Sequence, residues 1–276
     1  MIHGLLVAME WLTYRSADFV ISANASFREL AITRGGKRPD VVEIVYSIPD
    51  IKNIYRTTPD LTLRNGRRLV LGYLGIIGIQ DGVDDMVRVI RHLLKDENFS
   101  DFHAVIIGDG PALGAVRALS SELGVDDYIT FTGYLTGERL MRSVSAFDVG
   151  LIPDPVNASN DIMSMNKVFE YSALGIPTVA YQLTETKRLL GDAGTYAEFN
   201  TPESLAKACL RLLNDRSLRE ECSKLASALA ERSFIWTNEA AKYVGVMESV
   251  LSPRPGAEFV NKRISLSTVP PDSEPQ

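Results

Sequence analysis

Short apolar runs rich in valine and isoleucine alternate with amphipathic stretches of ten to sixteen residues along most of the chain. A strand with one wet face alternates apolar and polar positions, so continuous apolar runs of four to seven residues predict strands buried on both faces. The amphipathic stretches predict helices. Their regular alternation predicts an α/β fold, a parallel sheet covered by helices on both faces.

The pattern falls into two blocks. The first predicts a helix over 2–16, a strand over 18–22, a helix over 26–34 and a strand over 41–46. Residues 47–65 have little period, carry Pro49 and Pro59, and read as a linker. The second block predicts strands over 69–74, 104–107, 129–132, 149–152, 178–181 and 195–199. Helices over 83–95, 112–123, 138–146 and 164–174 separate them, and helices over 202–213, 218–231 and 238–251 follow. Six strands with helical crossovers make a complete doubly wound, Rossmann-like domain. The first block reads as the end of such a domain. The expected divisions are 1–66 for that remnant and the linker, 67–235 for the Rossmann-like domain, 236–252 for a helix crossing back, and 253–276 for a proline-containing disordered tail.

Composition narrows the function classes. The 276 residues carry a net charge of −6, which argues against a general nucleic-acid binder. No run reaches the ~18 apolar residues of a membrane span. The apolar start is interrupted by Glu10 and lacks a basic flank, so it reads as an amphipathic helix rather than a leader, and a cytoplasmic location is expected. The two cysteines, Cys209 and Cys222, and the three histidines, His3, His92 and His103, show no metal spacing. Asp84-Asp85 and Asp126-Asp127 read as helix-start and turn carboxylates, and no metal is expected.

Three stretches carry candidate chemistry. Gly72-Tyr73-Leu74-Gly75-Ile76-Ile77-Gly78 follows a buried strand and precedes a helix. Glycines there let backbone approach a ligand, and the helix amides face an anion. It is neither a strict dinucleotide fingerprint nor a P-loop, so a packing turn is the competing reading. Gly108-Asp109-Gly110-Pro111 follows the next strand, with Asp109 and Pro111 suited to the start of a helix. It is either a tight turn or a ligand loop at the carboxyl edge of the sheet. The most specific stretch is Asn166-Lys167-Val168-Phe169-Glu170-Tyr171-Ser172-Ala173-Leu174-Gly175-Ile176-Pro177. Lys167 and Glu170, spaced i and i+3, share a face of a helix that Gly175 ends. They read as a solvated pair or as ligand groups. A carboxylate among apolar neighbours needs a partner, and a sugar diol supplies one.

These motifs, together with Gln80-Asp81-Gly82-Val83-Asp84, Phe131-Thr132-Gly133-Tyr134 and Asp148-Val149-Gly150-Leu151-Ile152-Pro153, stand in an order that resembles family four of the retaining GT-B glycosyltransferases. The branch it is most similar to builds exopolysaccharides and lipid-linked cell-surface glycans. The resemblance runs from about residue 17 to 236. It implies two Rossmann-like domains facing across a cleft, the C-terminal one holding a nucleotide-diphosphate sugar and the N-terminal one a glycan or lipid-linked acceptor. It implies that Glu170 binds the ribose hydroxyls, that Lys167 meets the diphosphate or the sugar, and that Gly75 and Gly78 admit the diphosphate. Gly108, Asp109, Gly110, Tyr134 and Asn166 complete the implied donor site. The implied reaction is transfer of a hexose-type sugar with retention, with no cofactor beyond the substrate.

Some positions depart from the family. Eight before Glu170, where a second glutamate is usual, stands Ile162, with Asp161 beside it. Ile76 replaces an arginine, and Gln80-Asp81 replaces a lysine region. The catalytic groups of the acceptor domain are not assigned to any residue here. The apolar surface expected on residues 1–60 implies a partner chain, a second copy or a membrane surface, such as the inner face of the plasma membrane. Two other readings compete: a nucleotide-sugar-binding module without catalysis of its own, and a dinucleotide oxidoreductase. The oxidoreductase is disfavoured because no G-x-G-x-x-G follows the strand over 69–74.

Overall fold

The computed structural model describes residues 2–50 and 53–251. The first block folds as α1 (Ile2–Ser16), β1 (Val20–Ser22), α2 (Ala25–Thr33) and β2 (Val42–Ile44). β1 and β2 pair in parallel as a two-stranded sheet. The second block comprises β3 (Leu69–Leu74), α3 (Val83–Lys95), β4 (Phe102–Ile107), α4 (Leu113–Glu122), β5 (Ile129–Gly133), α5 (Gly137–Val144), β6 (Val149–Ile152), α6 (Asn166–Ala173), β7 (Thr178–Ala180), α7 (Thr184–Leu190) and β8 (Gly194–Tyr196). Helices α8 (Pro202–Asn214), α9 (Arg216–Ser233) and α10 (Trp236–Leu251) follow.

The six strands form one parallel sheet in the order β5-β4-β3-β6-β7-β8. Alternate side chains of each strand enter different cores. Leu69, Leu71 and Tyr73 of β3 pack with Met86, Ile90 and Leu93 of α3 and Leu205, Cys209 and Leu212 of α8. Val70 of the same strand packs on the other face with Val168, Phe169 and Tyr171 of α6 and Ala230 of α9. Gly72 shares that second face because a Cβ on it would stand 2.0 Å from the Phe147 ring.

The winding starts outward from β3 in both directions. β3–β4 pairing runs to Leu74–Ile107, whereas β3–β6 pairing ends at Gly72–Gly150. Past that point β3 and β6 diverge, and the Tyr171 hydroxyl accepts the Leu74 N–H at 2.9 Å. A crevice at such a switch point is where doubly wound sheets bind ligands.

Several expected boundaries shift. The strand expected over 18–22 begins at Val20, and that expected over 195–199 is Gly194–Tyr196. The segment over 47–65 is not a free linker. It holds a 3-10 turn at Leu61–Arg64, buries Ile48, and anchors Arg56 to the Leu174 and Gly175 carbonyls at 2.5 and 3.1 Å. Asp109 does not cap α4; its Oδ1 accepts the neighbouring Gly110 N–H at 2.7 Å, and α4 starts two residues after Pro111. The tail expected to be disordered lies outside the described residues.

The first block is fastened to the second by buried polar contacts. Ser26 donates its N–H and hydroxyl to Glu185 at 2.9 and 2.5 Å. The Asn24 amide donates to the Ile162 carbonyl at 2.8 Å. The crossing helix expected near Trp236 is α10, whose buried Glu239 accepts the Tyr46 N–H at 2.8 Å beside β2. The apolar surface expected on the first block is present. Ile2, Leu5, Leu6, Met9 and Leu12 form an exposed stripe along α1. Among the described residues, no helix is long and apolar enough to cross a membrane.

Candidate functional site

The loops at the carboxyl ends of β3, β4 and β5 are laced together by backbone. Gly75 N–H donates to the Ile107 carbonyl at 3.1 Å, Ile77 N–H to Asp109 at 3.0 Å, and Gly108 N–H to Gly133 at 3.0 Å. The lacing requires glycine at two crossings. Gly108 has φ +145, and a Cβ on it would stand 1.8 Å from the Gly75 carbonyl oxygen. Gly75 has φ +155, another conformation costly for residues with a side chain.

These loops, the start of α5 and the first turns of α6 enclose a cleft of about 1000 Å³. Gly75, Gly108, Asp109, Tyr134, Asn166, Lys167 and Glu170 all line it. Residues separated by up to 95 positions in sequence therefore meet in one space. Gly78 and Gly110, expected there too, are not among the lining residues. A Cβ on Gly78 would collide with the Asp81 carboxylate at 2.7 Å, and one on Gly110 with the Ile77 carbonyl oxygen at 2.5 Å. Their glycine identity answers loop packing.

Lys167 and Glu170 occupy contrasting environments on one helix. Lys167 is buried, its Nζ 3.1 Å from Asp154 Oδ2 and 4.9 Å from the centre of the Tyr73 ring. It does not pair with Glu170. Asp154 is 1% exposed; burial raises its carboxyl pKa above the ordinary value, and the Lys167 ammonium opposes that rise. Only 3.7 Å separates Lys167 Nζ from the place a Gly75 Cβ would occupy, so the ammonium borders the space in front of the glycine loop.

Glu170 is half-buried and has no hydrogen-bond or ion-pair partner among the described residues. Burial also raises its pKa, with Lys167 opposing. A carboxylate held out of water without a donor is costly unless a ligand supplies donors. α6 has no side-chain cap at Met165; the Val168 N–H donates to the Met165 carbonyl at 3.0 Å, while the Asn166 and Lys167 amides have no acceptor among the described residues and are open to an anion. Ser164, whose buried hydroxyl has no partner, lines the cleft as well.

Asp154, Tyr73 and Ser164 are residues to which motif reading gave no role of their own. Asp154 follows β6 directly at the switch point, and that position was its only signal in the sequence. The departures noted above keep their force. Ile76 lines the cleft and is 69% exposed, so no cation stands in the first loop. Asp161 is turned away: its carboxylate accepts the Thr184 N–H and hydroxyl at 2.8 and 2.9 Å at the start of α7. Among the described residues, no group of three or more histidine, cysteine, aspartate or glutamate side chains is arranged to hold a metal.

Residues 68–215 match the family described as glycosyl transferases group 1. The chain is 25% identical over 186 residues to an alpha-D-kanosaminyltransferase of Streptomyces kanamyceticus, covering 66% of this chain and 46% of that protein. It is 30% identical over 238 residues to a D-inositol 3-phosphate glycosyltransferase of Acidothermus cellulolyticus, covering 79% of this chain and 50% of that protein. The chain thus spans about half the length of these curated relatives. Its fold is similar to that of Anabaena Alr3699/HepE, solved in complex with UDP and glucose, with a TM-score of 0.70 at 17% identity, covering 86% of this chain and 65% of that one. The GT-B-type arrangement inferred from motif order is therefore the fold observed. With more than half of its residues inside the family match, the chain belongs to the group 1 glycosyl transferases.

Proposed function

We propose that the cleft binds a nucleotide-diphosphate sugar and that this chain supplies the donor half of a glycosyl transfer. The observation that carries the reading is Glu170, a carboxylate without a partner among the described residues, lining the cleft three residues after a buried lysine. One carboxylate accepts two hydrogen bonds, which suits the two hydroxyls of a ribose. Lys167 and the open amides of α6 then face the diphosphate across the Gly75 loop. Asp154 positions the ammonium from below. Family membership supports a nucleotide-sugar substrate, and HepE binding UDP in a similar fold supports it further.

In the transfer, the diphosphate leaves carrying charge that Lys167 and the α6 amides offset. The finer reading is a hexose-type sugar passed with retention to a glycan or lipid-linked acceptor, in the building of surface polysaccharide. No metal or other cofactor takes part in it. Retaining transfer brings the acceptor hydroxyl to the face the leaving group departs from, which demands a second wall opposite the cleft. We place that wall beside the first block, whose exposed α1 stripe suits a partner chain, a second copy or a membrane surface at the cytoplasmic side.

Calorimetric titration with UDP, GDP and their common sugars tests the donor site. The expected result is micromolar binding of one nucleotide, weakened by at least about tenfold in Glu170→Ala, a loss of about 1.4 kcal/mol. Equal binding by the variant would remove Glu170 from the site. Absence of binding to all of them, with the protein folded, would overturn the donor-site reading.

A further inference from the structure

The opposite edge of the six-stranded sheet carries a second concavity. A basin of about 620 Å³ lies under the amino ends of β3, β6 and β7, where Leu69, Asp148 and Pro177 stand. β3 is six residues long, so at about 3.3 Å per residue the basin is roughly 20 Å from the donor cleft. The two places differ in charge. The donor cleft is lined by Lys167 against Asp81, Asp109 and Glu170. The basin is lined by Arg56, Arg68, Arg216, Arg219 and Lys224 against Asp148 and Glu220, in a chain whose net charge is −6.

The carboxylates there are already engaged. Asp148 pairs with Arg64 at 3.1 Å and accepts the Val70 N–H at 2.8 Å. Glu220 pairs with Arg216 at 2.8 Å, and Asp101 pairs with Arg68 at 3.1 Å. Arg56, Arg219 and Lys224 have no ion-pair partner among the described residues. Arg56 spends Nε and Nη2 on the Leu174 and Gly175 carbonyls, and Arg219 spends Nη1 on Leu212 and Leu213 at 2.6 and 2.9 Å. The remaining guanidinium N–H groups of Arg56 and Arg219 and the Lys224 ammonium have no acceptor among the described residues. Partial burial pushes the Arg219 guanidinium below its ordinary value, and the Arg68 and Arg216 charges push the same way against Asp148.

Five cations against two carboxylates line one basin, and three of the cations have no ion-pair partner among the described residues, an excess that matches a compact anion of two or three charges. We propose that the basin binds a soluble phosphoryl anion of the pyrophosphate or phosphomonoester class. Guanidinium forks hold phosphate oxygens in pairs, and the exposed Arg68 and Lys224 complete the ring of charge. The basin also touches α6 from its far end, because Arg56 and Ser223 both grip the Gly175 carbonyl, Ser223 at 2.7 Å.

The test is calorimetric titration of the full chain with inorganic pyrophosphate. The donor cleft is a competing place for it, so two variants separate the sites. Arg68→Gln with Lys224→Gln alters two exposed side chains of the basin, and Ile76→Glu adds a carboxylate to an exposed position of the cleft. One site is expected, weakened at least about tenfold by the basin variant and unchanged by Ile76→Glu. Raised salt should weaken it further, as for any partly exposed charge cluster. Absence of binding, or binding lost in Ile76→Glu and kept in the basin variant, would overturn the proposal. So would retention on phosphatidylglycerol vesicles without pyrophosphate binding, which would make the basin a contact for lipid headgroups.

Discussion

The two ends of α6 are built on opposite rules. At its carboxyl end the Leu174 carbonyl accepts from Arg56, and the Gly175 carbonyl accepts from Arg56 and Ser223. At its amino end the first-turn amides have no side-chain acceptor and Glu170 has no donor among the described residues. Eight residues of helix therefore carry one finished terminus and one left open. Burial alone does not distinguish them, since Lys167 at the open end is buried too. What distinguishes them is polar satisfaction: a terminus serving only the fold is closed by the protein, whereas one serving a ligand keeps its groups free.

Lys167 tests this contrast most severely, because it belongs to both categories. Lys167→Met leaves the Asp154 carboxylate buried alone, which is expected to cost about 3–5 kcal/mol at neutral pH. Pairing the change with Asp154→Asn should recover most of that loss of stability but none of the nucleotide affinity. Chemical denaturation and titration of the single and double variants measure both. Recovery of affinity in the double variant would show that Lys167 is structural only.

Arg56→Gln tests the closed end. Losing charged hydrogen bonds to two carbonyls is expected to destabilise the protein by about 1.5–3 kcal/mol. Nucleotide affinity measured well below the melting temperature should stay within about twofold, a difference of ~0.4 kcal/mol. A larger loss of affinity would mean that the two ends of α6 are coupled, and the contrast between them would lose its meaning.

The sequence made the closed end easier to read than the open one. Gly175 followed by Pro177 announced where α6 stops, and the apolar runs over 69–74 and 149–152 announced buried strands whose bounds match β3 and β6. Lys167 and Glu170 were legible as a pair of ligand groups because their spacing puts them on one helical face. Their unequal treatment was not legible, because Asp154 reaches Lys167 from the far end of the irregular loop that joins β6 to α6, where no period predicts which side chains meet. Gly78 and Gly110 were read as ligand glycines for the same reason. A glycine that clears a carbonyl in the next loop looks identical, along one chain, to a glycine that clears a phosphate. The Arg56 clasp was missed because a segment without periodicity gives no hint of what its side chains reach.

The mildest test concerns the penalty for keeping Glu170 open. Its folded-state pKa is raised by burial above the ordinary 4.5, so the folded state binds its proton more tightly than the unfolded chain does. Stability attributable to this group is therefore highest in acid and falls as pH rises from 4.5 through the raised value. Glu170→Gln removes the ionisable group and should stabilise the ligand-free protein by about 1 kcal/mol at neutral pH. The gain should shrink on acidification and vanish below 4.5, where both states are protonated in the parent. Thermal melts across that range read the sign directly. A constant gain at every pH would assign the effect to packing rather than to charge. A loss at neutral pH would mean that Glu170 already has a partner in the folded protein, and the amino end of α6 would then be as closed as the carboxyl end.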